Sequence, residues 1–205
     1  MPISGPIPRP SSTTLCLLGG PFVLKDDQRL EIPEGSKRLL TFVGLTGGRV
    51  SRRHAAGTLW PDGNDERASG NLRSALWRLR GANIDILHAD KFALYLDPDS
   101  TIDIVQLHAW ATRIMKGTTA DNSDLDVANL HLEAVHLLPG WYEDWVVFER
   151  ERLRQRLLHG MESLAQKRIE CHHFAGAIEA AMFAVGIEPL RESAQRLLIE
   201  AHLAE

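Results

Sequence analysis

No apolar run in this 205-residue chain approaches the ~18–20 residues that a membrane-spanning helix needs. The first residues, MPISGPIPRPSS, lack the apolar core of a signal peptide. Their Pro and Ser content predicts a disordered tail over 1–13. Cysteine is scarce: Cys16 and Cys171 lie far apart and fit no metal or redox motif. A reduced, cytoplasmic setting without a disulfide is the expectation. The chain has no Walker A loop, no G-x-S-x-G elbow and no dinucleotide fingerprint. No catalytic constellation replaces them, so neither an enzyme nor a cofactor is expected.

Positive charge is in deficit overall, at a formal net −4, but the deficit is uneven. Residues 1–96 hold 13 Lys and Arg against 9 Asp and Glu; residues 97–205 hold 10 against 18. A basic first half and an acidic second half suggest two domains with different partners. The basic half suits a polyanion, which the acidic half would repel.

The first half reads as strands, three helices and a hairpin. TLCLLGG, PFVLKDD and RLEIP predict a small antiparallel sheet over 14–32. A helix follows over about 36–46, with Ser36 as N-cap and Leu39, Leu40 and Val43 as its apolar stripe. GGRV closes it. A second short helix starts at Ser51, another N-cap, and Pro61 ends it. The third helix lies in LWPDGNDERASGNLRSALWRLR, residues 59–80. At about 100° per residue, Ala68, Leu72, Ala75, Leu76 and Leu79 share the buried face. Arg67, Gly70, Asn71, Ser74, Trp77 and Arg78 lie opposite, with Arg73 and Arg80 at the boundary. NIDILHADKFALYLD then reads as a β-hairpin with Lys91 near its tip, and DPDST (97–101) as a linker.

From about Ile102 the strand signals stop, and five segments carry helical spacing: 103–115, 123–138, 144–173, 174–186 and 189–204. LPGWYED (138–144) is a turn. Leu164, Ala165, Ala177, Ala184 and Pro189 sit at the offsets of one tetratricopeptide-like unit. Such arrays bind partners on a concave face; the plainer alternative is that the alanines only pack helix pairs. His131 and His136, five apart, share no helical face well, and HLEAVH is not the metalloprotease spacing, so no metal is expected. ERERLRQR (149–156) mixes signs at helical spacing. It reads as a solvated face with ion pairs, a second nucleic-acid patch being the weaker alternative.

The order sheet, three helices, hairpin is that of a winged helix-turn-helix. Its third helix enters the major groove, where Arg matches guanine and Asn matches adenine by two hydrogen bonds. The alternative is a solvated arginine face that complements the helix dipole. The exposed Trp77 points to a partner, or else packs on the wing or the second domain.

LWPD followed by Arg67, Ala68, Leu72, Arg78, Leu79 and Arg80 resembles the signature of SARP-type antibiotic regulatory proteins. The wing passage FALYLDPDSTIDIVQL matches the family at Leu94, Leu96 and Asp103. The passage from LLPGWYEDW to the last residue is similar to the bacterial transcriptional activator domain. The resemblance implies a mainly α protein with small β: an OmpR-like winged helix over 14–97 and a tetratricopeptide-like activator domain over 102–205, short of its usual last helices. It implies a cytoplasmic, nucleoid-associated transcriptional activator that binds double-stranded promoter repeats, meets RNA polymerase and forms a homodimer on direct repeats. DNA contacts would come from Arg67, Asn71, Arg73, Ser74, Trp77, Arg78 and Arg80 of the third helix, from Arg52 and Arg53 of the second, and from Lys91 of the wing. The loop 61–66, with Asp62, Asn64, Asp65 and Glu66, would contact polymerase. The rival reading is a helical protein-interaction module with a vestigial winged helix that does not bind DNA.

Overall fold

The computed structural model describes residues 13–118 and 136–205. The expected tail lies outside them except for Thr13, and so does most of the expected helix 123–138, including His131. The chain divides into two compact units, Met1–Asp103 and Ile104–Glu205.

The first unit opens with β1 (Thr13–Cys16), β2 (Phe22–Lys25) and β3 (Gln28–Glu31), an antiparallel meander as expected. Leu15 sits opposite Val23, and Val23 opposite Leu30, which puts one apolar row on the core side. Asp26 and Asp27 take positive φ (50° and 64°) in the two-residue β2–β3 turn. Short polar side chains tolerate that conformation.

Helix α1 (Glu34–Leu45) follows Pro33. Ser36 is not its N-cap: it lies inside the first turn, fully buried, and its hydroxyl donates to the Ala75 carbonyl at 2.8 Å. At the far end Gly47 and Gly48 take positive φ, and the Gly48 N–H closes on the Val43 carbonyl. The next residues do more than end the helix. Arg49–Ser51 form β4, which pairs with β6 (Ala93–Leu96), itself hairpinned to β5 (Leu87–Ala89). The Arg49–Ser51 run is too short to announce a strand; its pairing partner lies more than forty residues away in sequence.

Helix α2 (Arg52–Leu59) is capped as expected, with Ser51 Oγ accepting from the His54 N–H at 3.1 Å. Helix α3 (Asp65–Gly81) buries Ala68, Leu72, Ala75, Leu76 and Leu79, the five residues read from its periodicity. They meet Leu39, Leu40, Leu59 and Leu94 in a core of fully buried side chains. Truncating a leucine such as Leu72 there costs about 2–5 kcal/mol.

The expected linker 97–101 is partly structure. Thr101 and Ile102 form β7, parallel to β1, giving the sheet order β3-β2-β1-β7. Asp103 then fixes the junction by accepting from the Leu17 and Leu18 N–H groups at 2.8 and 2.9 Å.

Helix α4 (Asp103–Lys116) starts at that aspartate. The second unit holds the rest of it with α5 (Asp144–Glu170), α6 (Phe174–Ile187) and α7 (Glu192–Ala204). Four alanines of α6, Ala177, Ala180, Ala181 and Ala184, are fully buried, as are Leu164 and Ala165 of α5. Small residues let α6 sit close between its neighbours. Pro189 lies in the exposed turn before α7.

Candidate nucleic-acid interface

The side chains proposed from sequence fall on three elements of the first unit. Asn64 caps α3: its carbonyl oxygen accepts from the Arg67 N–H at 2.9 Å. Asp65 and Glu66 occupy the first helical turn, where their charge complements the exposed N–H groups. The loop assigned to residues 61–66 is therefore shorter, ending at Asn64. The signal was available, because Asn followed by two acidic residues is an N-terminus signature.

Along α3 the structure separates two regions. At ~1.5 Å per residue, Arg67 and Arg80 stand roughly 20 Å apart along the axis. Arg67, Arg73, Ser74 and Arg80 are exposed and Asn71 is half-buried. Trp77 is 75% exposed. Arg78 is exposed but not idle. One of its guanidinium N–H groups donates to the Gly35 carbonyl at 3.0 Å, tying α3 to the start of α1. A side chain at Gly35 would strike that guanidinium.

The second and third elements converge on the N-terminal half of α3. Arg52, Arg53 and Gly57 of α2, Asp65, Ser69 and Leu72 of α3, and Lys91 and Phe92 of the β5–β6 tip line one open depression of about 450 Å³. Three of the ten side chains predicted to touch DNA thus share one wall. Arg73, Ser74, Trp77, Arg78 and Arg80 lie outside it, towards the C-terminal end of α3.

The hairpin tip is held by main chain. The Arg52 N–H donates to the Phe92 carbonyl at 2.9 Å, and the Arg52 guanidinium to the Asp90 carbonyl at 3.2 Å. Asp90 Oδ1 accepts from the Phe92 and Ala93 N–H groups, each at 2.7 Å. Those two hydrogen bonds hold the Asp90 carboxyl below its ordinary value, with Arg49 and Arg52 adding to the effect. Lys91 Nζ sits 5.5 Å from the centre of the Phe92 ring. Sequence reading gave no role to Phe92; a lone aromatic in a hairpin tip carries no periodicity.

Among the described residues, the side chains of Arg53, Arg67, Arg73 and Arg80 have no hydrogen-bond or ion-pair partner. Sites of other chemistry are lacking there too. No group of three or more His, Cys, Asp or Glu converges among the described residues, and no helix among them is long and apolar enough to cross a membrane. Cys16 is buried, its thiol pushed up to about 11 by burial and by Asp103. It is no nucleophile at neutral pH.

Residues 109–205 match the bacterial transcriptional activator domain. The matched stretch begins inside α4 and extends past α7. It includes Arg150, whose guanidinium donates to the carbonyls of Leu137, Leu138 and Trp141 at 3.0, 2.8 and 3.0 Å. It also includes the Glu162–Arg191 pair, bidentate at 2.6 and 3.0 Å. No curated protein matches the chain.

Proposed function

We propose that this chain is a sequence-specific, DNA-binding transcriptional regulator, an activator whose first unit works as a winged helix-turn-helix. Helix α3 enters the major groove, with Arg67, Asn71, Arg73, Ser74 and Trp77 facing base edges and adjacent phosphates. Arg52, Arg53 and Lys91 meet the backbone, which supplies most of the affinity but no sequence choice. Arg78 holds α3 on α1 through Gly35.

The observation that carries this reading is the convergence of Arg52, Arg53 and Lys91 beside the head of α3. Like charges are gathered on one wall only against a cost, and a phosphate backbone relieves it. The activator domain supplies the surface for partners and for a second copy on repeated sites. The short loop from Pro61 to Asn64, with Asp62 exposed, is the segment offered to RNA polymerase. A function at the bacterial nucleoid, without cofactor or catalysis, follows from these assignments.

The test is fluorescence-anisotropy binding to duplexes selected from a random pool, titrated in salt. Enrichment of a repeated motif is expected, with affinity falling in proportion to the phosphates neutralised, by roughly 0.9 in log K per contact per log unit of salt. A pool that yields no motif, with no binding at low salt, would overturn the reading. It would favour a protein-interaction module with a vestigial first unit.

A further inference from the structure

The hairpin tip presents its most exposed apolar group where a solvated loop would place a polar one. Phe92 is 74% exposed. Both of its backbone groups are engaged, the N–H by Asp90 Oδ1 and the carbonyl by the Arg52 N–H. The Asp90 N–H also donates to the Ala93 carbonyl at 3.0 Å, closing the turn. The backbone that carries the ring is thus fixed in place by hydrogen bonds that do not depend on the side chain. Around it stand Lys91, Arg52 and Arg53, and the ring lines the same depression as the first half of α3.

This combination is particular. An apolar side chain at the centre of a protein-docking patch is usually ringed by other apolar groups. Phe92 shares its depression with three cations, Lys91, Arg52 and Arg53, and Lys91 Nζ lies 5.5 Å from its ring. An aromatic on a held backbone beside cations suits a partner that is anionic outside and aromatic within, which is a nucleic-acid groove. A wing beside a major-groove helix reaches the adjacent minor groove. Apolar side chains inserted there part a base step and bend the duplex towards the major groove.

We propose that Phe92 is a minor-groove wedge: it enters a base step at a fixed distance from the bases read by α3, kinks the duplex and makes the protein select a deformable step. The inference rests on the DNA reading above. Lys91 and Arg52 neutralise the phosphates flanking the opened step, and the Asp90 turn holds the backbone that carries the ring so that little main-chain ordering is needed on binding. Pyrimidine–purine steps, TA and CA/TG, unstack most readily, so the preference falls on them without any hydrogen bond to a base.

The experiment uses the full chain and duplexes it selects from a random pool, labelled at both ends with a donor and an acceptor dye. On binding wild type, the end-to-end distance is expected to shorten, and the selected sites to carry a pyrimidine–purine step at constant spacing from the α3 motif. Phe92→Ala should bind about tenfold more weakly, leave the duplex straight and lose the step preference. Phe92→Leu should keep the bend, because leucine also wedges. Thermal melting of Phe92→Ala should match wild type, since the tip's hydrogen bonds are all backbone or Asp90. A straight duplex under wild type, or an unchanged bend with Phe92→Ala, overturns the wedge while leaving the DNA reading intact. A pool that wild type cannot enrich overturns both.

Discussion

The two units use arginine in opposite ways. In the second, four guanidinium groups are internal staples. Arg150 binds three carbonyls ahead of α5, Arg168 binds the Gly176 carbonyl, Arg156 the Thr112 hydroxyl and Arg191 the Glu162 carboxylate. In the first, Arg53, Arg67, Arg73 and Arg80 reach solvent, while Arg38, Arg52 and Arg78 are each tied to a carbonyl and Arg29 to the Glu31 carboxylate. The residue type is the same; the number of carbonyl and carboxylate acceptors offered nearby differs. Net charge follows the same division, positive before residue 97 and negative after. The lesson is that an arginine run shows function only when the fold leaves it unused.

That contrast can be broken most sharply by charge reversal. Arg53→Glu with Lys91→Glu removes two predicted phosphate contacts and adds repulsion. Binding to a selected duplex is expected to fall roughly 100-fold or more near ~0.1 M salt. The matched control is Arg152→Glu with Arg196→Glu in the second unit. Those arginines pair with Glu149 and Glu200 on exposed helix faces, at 3.3 and 3.7 Å. There the expected change in affinity is less than about threefold, and the stability cost is under about 1 kcal/mol per pair. Equal losses in both double variants would mean that bulk charge, not the α2–wing wall, controls binding.

Stability should show the reverse ranking. Arg150→Ala strips three carbonyls of a charged donor, and about 2–4 kcal/mol of the second unit's stability is expected to go with it. Arg73→Ala, on the outer face of α3, should stay within about 0.5 kcal/mol of wild type. Urea unfolding followed by hydrogen exchange in α5 and α3 separates the two. A stable Arg150→Ala would show that the carbonyls of Leu137, Leu138 and Trp141 find water instead.

How much of this was legible in the sequence depended on how local each cause was. The periodicity of α3 gave its five buried residues because a helix face is set within four residues. The Ser51 cap and the β5–β6 hairpin were legible for the same reason. Ser36 was misread because its acceptor, the Ala75 carbonyl, lies on another helix. β4 and β7 stayed hidden because strands of three and two residues exist only through distant partners. Within ERERLRQR, the ion pairs Glu149–Arg152 and Glu151–Arg154 were foreseen. The clamping role of Arg150 was not, since nothing in a charge pattern tells which arginine turns inward. At the candidate interface the residue types were legible, whereas the grouping of Arg52, Arg53 and Lys91 required the β4–β6 pairing that docks the tip on α2.

The smallest expected effect concerns pH, and it also divides the units. His108, on α4, is held below its ordinary value of 6.5 chiefly by burial, then by Arg156 and Arg152, with Glu149 opposing. The folded chain thus takes up this proton less readily than the unfolded one. The contribution of a neutral His108 is complete above pH 6.5 and is lost as pH falls through the ordinary histidine range. Burial would raise the carboxyl of Glu162, but hydrogen bonds from Arg191 and Ser193 outweigh it and hold it below its ordinary 4.5. Its contribution is present above that value and declines only in more acid solution. Between about pH 8 and about pH 5 the second unit should therefore weaken through His108, with Glu162 still ionised. His108→Gln should flatten that decline, measured by urea unfolding and hydrogen exchange in α4 and α5, while Glu162→Gln should leave its pH dependence in place. The loss should stay within the second unit: a parallel decline in the exchange protection of α3 would mean that the two units unfold together.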